Sequence, residues 1–306
     1  MDIKYLRYNE IDFDCWDACV YRAVNSLPYA YSWYLDIVTD GQWDALVYGN
    51  YEVVMPLPYR KKWLVKYVYQ PHWIQQLGVF SVYPLNEKMV LDFLQSIPQQ
   101  FKYLDFYLNE ANSFALKEVP ATPRINYVVS LNKSYDVLHK GYNNNTKRNV
   151  KKAMAYKQQV QHNIPPNAIV RLHQNTVGKK NNNFDKKYYA NIERLMYICL
   201  HKRMATALGV YDAHNELSAV AFFMQDQKRI IHLLSASNDA GKKAGSMFTI
   251  FDYLIQKNAA TNTLLDFEGS MLAGVAQFYH GFGGKEVNYW HVKANRLPFL
   301  LRYFKK

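Results

Sequence analysis

The stretch LLDFEGSMLAGVAQFYHGFGG, residues 264–284, places two carboxylates and a phenol where they could move protons. Leu264-Leu265-Asp266-Phe267 reads as a buried strand, Glu268-Gly269-Ser270 as a tight turn, and the rest as an aromatic helix carrying Tyr279. A carboxylate at the carboxyl end of a strand can take a proton from an ammonium group or hold a cationic substrate, which makes Glu268 the candidate base. Its structural alternative is to accept turn and helix N-terminal amides. On a strand, Leu264, Asp266 and Glu268 point one way and Leu265 and Phe267 the other. Asp266 is then either a substrate contact or a buried, paired carboxylate. Ser270 could contact substrate or cap the next helix. Tyr279 could protonate a leaving group, though Val275, Phe278, Tyr279 and Phe282 also fall at helical spacing and would form a core stripe in any case.

A second chemistry is anion binding. In SNDAGKKAGSMFTIFDYLI, residues 237–255, a strand end runs through a turn, Gly241-Lys242-Lys243-Ala244-Gly245-Ser246, into an apolar helix. Free amides at a helix N-terminus, approached closely because glycine has no side chain, form an anion site, and Lys242 and Lys243 add charge. An ordinary exposed turn is the plain alternative. Farther upstream, NNNTKRNVKKAMAYKQQVQHN spreads Lys147, Arg148, Lys151, Lys152 and Lys157 over a helix with Thr146 as N-cap and a narrow apolar side of Val150, Ala153 and Met154. Several cations on one rigid element can hold phosphates; a solvated helix face is the alternative.

These residues need elements to position them. WDALVYG and YEVVMPLPY read as a hairpin through Gly49-Asn50, with Pro56 and Pro58 ending its second arm or placing it at an edge. A short extended piece (75–81), a helix (86–97) and a strand (102–108) follow. The order then repeats: a helix over about 185–204, strands over 207–213, 217–224 and 229–236, a helix over 245–258, and the stretch quoted above, with a last strand over 286–292. Each half thus runs hairpin, further strand, helix, strand, which points to a duplicated unit. Pro120 and Pro123 break regular structure near the boundary, giving a first domain of 1–125 and a second of 126–306, the last ten or so residues folding back on the first. The basic stretch 179–187 reads as a loop.

The chain has 306 residues, 49% of them apolar, enough for two ordinary domains. Its formal charge of +12 favours an anionic partner: nucleic acid, a membrane surface or a phosphate-bearing cofactor. No stretch approaches the roughly 20 apolar residues of a spanning helix, and the N-terminus has no apolar secretory core, so a cytoplasmic location is expected. Three cysteines argue against a disulfide framework, and scattered histidines offer no metal motif. There is no Gly-x-Ser-x-Gly elbow, so a nucleophilic mechanism is disfavoured.

The second half resembles a GNAT-type N-acyltransferase domain. Lys242-Lys243-Ala244-Gly245-Ser246-Met247 is similar to that family's pyrophosphate loop, with Met247 where Gly or Ala is usual. AQFYHGFGG is similar to the family's helix ending in Phe-Tyr and Gly-Phe, the glycine coming one residue early, and implies that Tyr279 protonates the leaving group. Over nearly the whole chain the two halves, TKRNVKKA and DFEGS resemble the FemABX-type acyltransferases, though without their helical-hairpin insertion. The resemblance implies an α/β (α+β) fold of two tandem GNAT-like domains, each a mixed sheet flanked by helices, in a bacterial protein.

Two functions follow. One is acyl transfer, acetyl or aminoacyl, from acyl-CoA as co-substrate or from aminoacyl-tRNA to an amine-bearing small molecule or cell-wall precursor. Amides beside strand 229–236 would polarise the carbonyl, with no tightly bound cofactor and no metal. The first half would be structural or acceptor-binding. The other is a non-catalytic protein holding RNA or an anionic surface on the same scaffold.

Overall fold

The computed structural model describes residues 1–62, 65–115, 118–180, 184–212, 214–226, 228–269 and 271–297. Ser270 and the end of the chain, residues 298–306, whose packing the sequence assigns to the first half, lie outside the described residues.

Along the chain run β1 (Ile3–Leu6), α1 (Phe13–Arg22), α2 (Ser32–Thr39), β2 (Trp43–Tyr48), β3 (Val53–Lys62), β4 (Val65–Tyr69), β5 (Phe80–Ser81), α3 (Glu87–Gln95) and β6 (Phe101–Leu108). Next come β7 (Ala121–Ser130), α4 (Tyr135–Lys140), α5 (Asn144–Ala155), β8 (Val160–His162), α6 (Pro166–Asn175) and α7 (Lys186–His201). The remainder is β9 (Ala205–Tyr211), β10 (Leu217–Asp226), β11 (Arg229–Ser237), α8 (Asp239–Ala244), α9 (Ser246–Lys257), β12 (Leu264–Asp266), α10 (Ala273–Gly281) and β13 (Lys285–Asn295).

Two compact units form: residues 1–124 with the chain from Asn288, and Ile125–Val287. The first unit's sheet has the order β1-β2-β3-β4-β6-β13, and the second's β8-β9-β10-β11-β12-β7. In the first, β4 and β6 are parallel and the other pairs antiparallel. In the second, β11 and β12 are parallel and the others antiparallel. Each parallel pair is joined through helix, α3 in one unit and α8–α9 in the other. The repeat in element order is therefore a repeat in hydrogen-bonding pattern: three antiparallel steps, one parallel crossover, one antiparallel step. The sixth strands are exchanged. β7, next after β6, closes the second sheet, and β13, after α10, closes the first.

Pro56 and Pro58 do not end β3, which continues to Lys62 between β2 and β4. They pair across from Ala45 and Trp43, and the Tyr59 amide donates to the Gln42 carbonyl (3.0 Å). By alternation the proline nitrogens face the other side. There β5 reaches only Val53–Val54 and β4 only Tyr59–Lys62, so no ladder bond is lost. Pro123 likewise sits inside β7, near its start, rather than breaking the chain. The N-cap of α5 is Asn143, not Thr146: its Oδ1 accepts from the Thr146 amide (2.8 Å). Asn and Thr cap comparably, and capping from Asn143 lets Thr146 turn inward and bury its side chain.

The second unit's core explains how the site elements are held. In α9 Ile250, Phe251, Leu254 and Ile255 form one buried stripe. They pack with Phe223, Leu265, Phe267, Tyr279 and Phe282 in a core rich in edge-on and stacked rings.

Candidate functional site

Strands β11 and β12 run together for three residues and then part. Arg229 pairs with Leu264, Ile230 with Leu265 and Ile231 with Asp266. Beyond that, β11 continues to Ser237 along β10 alone. The other chain stays with β7, the Phe267 amide donating to the Tyr127 carbonyl (3.0 Å). Among the described residues, no strand covers the β11 edge from His232 to Ser237 on the β12 side. Peptide groups on such an edge can hydrogen-bond an extended ligand or polarise a carbonyl.

Glu268 and Gly269 stand at this opening, both with left-handed backbone, φ 58° and 54°. A Cβ on Gly269 would lie 2.2 Å from the Ile125 carbonyl oxygen and 2.7 Å from Asn126 Cα, so glycine alone fits. Glutamate in this region costs of order 1–3 kcal/mol. The cost is offset locally: the Glu268 amide donates to Asp266 Oδ1 (2.8 Å). Asp266 itself is buried, with Oδ1 also accepting from Asn126 Nδ2 (2.9 Å) and Oδ2 from Arg229 Nη1 (2.6 Å). Both its oxygens are thus engaged by the protein. Asp266 holds the turn that presents Glu268, the paired role open to it in the sequence.

Tyr279, on α10, is 7% exposed and stacks on Phe267 at 4.7 Å. Burial, with the carboxylates of Glu268 and Asp266 adding to it, raises the phenol well above its ordinary pKa. It therefore stays protonated and has a proton to give. Tyr188 on α7 is raised too, mainly by burial, with Tyr189 and Glu268 contributing. Glu268 is thus within electrostatic reach of both phenols.

His232 was not marked by any motif. Its Nδ1 lies 3.4 Å from Tyr279 Oη, and its buried Nε2 has no hydrogen-bond partner. An unsatisfied buried polar atom costs about 1–3 kcal/mol. Burial pushes the imidazole pKa down to about 4, opposed in part by the Phe267 carbonyl, so the ring is neutral at physiological pH. The one available signal was a lone histidine inside the apolar run RIIHLL. Arg229, Asn126 and Tyr188 carry no local signal either, because their roles depend on partners distant in sequence.

The stretch Gly241–Ser246 is not an open turn. Asp239–Ala244 is helical, capped by Asn238, whose Oδ1 takes the Gly241 amide (2.9 Å). A Cβ on Gly241 would sit 2.3 Å from the Ser218 carbonyl, so this glycine serves close packing on β10. Gly245 (φ 75°) joins α8 to α9 and faces Ala153 and Asn149 of α5, each 3.5 Å from where its Cβ would be. Ser246 is buried, its Oγ accepting from Gln158 Nε2 (2.8 Å), while Thr249 Oγ1 donates to Gln158 Oε1 (3.1 Å). At its other end α5 meets α10, where the Asn143 amide donates to the Gly281 carbonyl (3.0 Å). The first turn of α9 packs against α5 and Gln158. Lys242 pairs with Asp239 (2.9 Å), and Lys243 lines a cleft of about 480 Å³ with Lys157, His214, Tyr156 and Tyr211.

On α5, Val150 and Ala153 point inward and Arg148, Lys151 and Lys152 outward. Lys147 Nζ donates to the Lys140 carbonyl (2.8 Å) and Arg148 Nη2 to Asn145 Oδ1 (2.9 Å). Arg148, Lys151 and Lys152 thus lie on the exposed side of α5. Among the described residues no helix is long and apolar enough to cross a membrane.

Two sheets of one topology, each with a helical crossover between parallel strands and one of them parted at Glu268, make up the fold. Among solved structures, FemX matches over the full length of both chains, with a TM-score of 0.69 at 13% identity. A conserved protein of unknown function from Bacteroides thetaiotaomicron matches at TM-score 0.57 and 10% identity, covering 96% of this chain and 99% of its own. L-PGS from Bacillus licheniformis matches at 0.55 and 12%, covering 96% and 95%. At these identities the likeness is one of fold. No family model and no curated sequence matches the chain.

Proposed function

We propose that the protein transfers an aminoacyl group from the ester of an aminoacyl-tRNA to an amine. The observation that carries this is the parting of β11 and β12, with Glu268 strained at its mouth and Tyr279 held protonated beside it. The amine nitrogen attacks the ester carbonyl; a C–N bond forms and the ester C–O bond breaks. Amides of the open β11 edge stabilise the charge on the carbonyl oxygen. The amine's proton passes to Glu268, directly or through one water, and Tyr279 gives its proton to the departing ribose oxygen. An aminoacyl ester is favoured over acyl-CoA because α5 covers the first turn of α9, while the outward cations of α5 suit a polyphosphate backbone. The resemblance to FemABX-type enzymes adds a cell-wall precursor amine as acceptor, reached in a bacterial cytoplasm.

Thermal unfolding with each donor tests the assignment. A ligand at 100 times its dissociation constant adds about 2.7 kcal/mol, so aminoacyl-tRNA should raise the melting temperature and acetyl-CoA should not. Replacing Lys147, Arg148, Lys151 and Lys152 together with alanine should lower the log–log salt slope of tRNA binding by roughly 3. A shift with acetyl-CoA and none with tRNA would overturn the donor. Steep tRNA binding with no ester consumed would leave the non-catalytic RNA-binding reading.

A further inference from the structure

Within the core of the second unit, His232 is an anomaly. It follows immediately on Ile231, the last β11 residue paired with β12, so it stands where the sheet opens. Phe223, Phe251 and Tyr279 surround its ring at 5.6, 4.9 and 6.1 Å between centroids. Every neighbour in that set would accept a phenylalanine or leucine there at least as well, and an apolar side chain would leave no buried nitrogen unsatisfied. The imidazole makes one side-chain contact of polar character, Nδ1 to Tyr279 Oη at 3.4 Å. That separation is long for a resting hydrogen bond, as is common in sites that tighten when ligand binds.

We infer that His232 is a positioning residue for Tyr279: its Nδ1 accepts the phenolic hydrogen and fixes the direction in which the hydroxyl meets the departing oxygen. Three features support it. The phenol stays protonated and must point its hydrogen somewhere. The imidazole stays neutral and so offers a lone pair. The carboxylate of Asp266, another strong acceptor near that phenol, is engaged elsewhere at both of its oxygens. With Nδ1 accepting, Nε2 carries the ring proton. When the ester arrives, Tyr279 swings its hydrogen from Nδ1 to the leaving oxygen, and after transfer the hydroxyl takes up its proton again from solvent and returns to Nδ1. This inference rests on Tyr279 acting on a leaving group, as proposed above.

Two measurements keep the two readings separable. The first needs no activity. In protein labelled with 15N-histidine, long-range 15N–1H correlations should show His232 as a single neutral tautomer protonated at Nε2. Tyr279→Phe should shift Nδ1 toward the value of a free acceptor nitrogen. A ring protonated at Nδ1, or an Nδ1 signal indifferent to Tyr279→Phe, overturns the inference even if the protein proves to be an acyltransferase. The second uses a mixed pool of radiolabelled aminoacyl-tRNA with small primary amines as acceptors. An asparagine amide can occupy the place of Nδ1 and a glutamine amide that of Nε2. His232→Asn should keep the single-turnover rate within about threefold. His232→Gln and His232→Phe should lose at least tenfold, with donor affinity unchanged and the melting temperature close to that of the parent. Retention by glutamine and loss by asparagine, or full activity of His232→Phe, contradicts positioning through Nδ1. If the parent protein consumes no aminoacyl-tRNA while the tautomer and its response to Tyr279→Phe are as stated, the transfer reading fails and the His232–Tyr279 geometry stands.

Discussion

Tyr279→Phe should slow transfer by about 100- to 1000-fold while leaving the fold and donor binding intact. The ring does the packing: it stacks on Phe267 and meets Tyr127 and His232 through its faces and edges, and phenylalanine preserves all of these. Among the described residues the hydroxyl makes only a long contact with His232, so its loss takes little from stability. What is lost is the proton for the departing oxygen. A single-turnover rate falling with unchanged donor affinity is the signature, because an interaction made only in the transition state has been removed. An undiminished rate would move the proton donor elsewhere, Tyr188 being the other raised phenol near Glu268.

The largest stability effect is expected at Asp266. Its carboxylate takes the Arg229 guanidinium at 2.6 Å, with exposures of 2% and 11% for the two side chains. It also gathers the Asn126 amide and the backbone of Glu268. Removing one member of a buried pair costs about 3–5 kcal/mol, because the remaining charge stays in a poorly solvating place. Asp266→Ala should therefore lower the urea midpoint by that equivalent, and the molecules that still fold should lose transfer because the Glu268 turn has lost its anchor. Asp266→Asn keeps acceptor capacity for the Asn126 and Glu268 N–H groups and should fall between alanine and the parent. A change below about 1 kcal/mol for alanine would mean that Arg229 finds equivalent compensation and that the pair is not what holds the turn.

Much of this was legible from the residues alone. The stripe of α9, the strands around it and the turn at Glu268 follow from periodicity and from Gly269, and each is where alternation and helical spacing put it. What the residues did not give were partners. The exchange of β7 and β13 is a long-range pairing choice with no local signature, since either strand suits either sheet edge. Pro56 and Pro58 argued for an edge, whereas the gap between β4 and β5 that tolerates them is a property of neighbours. Gly241 and Gly245 read as a phosphate turn because glycine marks close approach; what approaches Gly241 is the Ser218 carbonyl, and what approaches Gly245 is α5. His232 is illegible for a related reason: in an apolar strand a histidine reads as core, and the contact with Tyr279, 47 residues on, gives it a second role.

The central question is whether this chain makes an amide from an aminoacyl ester. The direct measurement is to incubate purified protein with radiolabelled aminoacyl-tRNA and a set of amine acceptors, including amine-bearing cell-wall precursors, and to identify the product by mass. The prediction is an amide whose formation needs both donor and protein, falls with Glu268→Gln and Tyr279→Phe, and is not replaced by acetylation when acetyl-CoA is supplied. Binding of the tRNA with its ester left intact in the presence of every acceptor would contradict the account and leave a fold like that of FemX that holds RNA without acting on it.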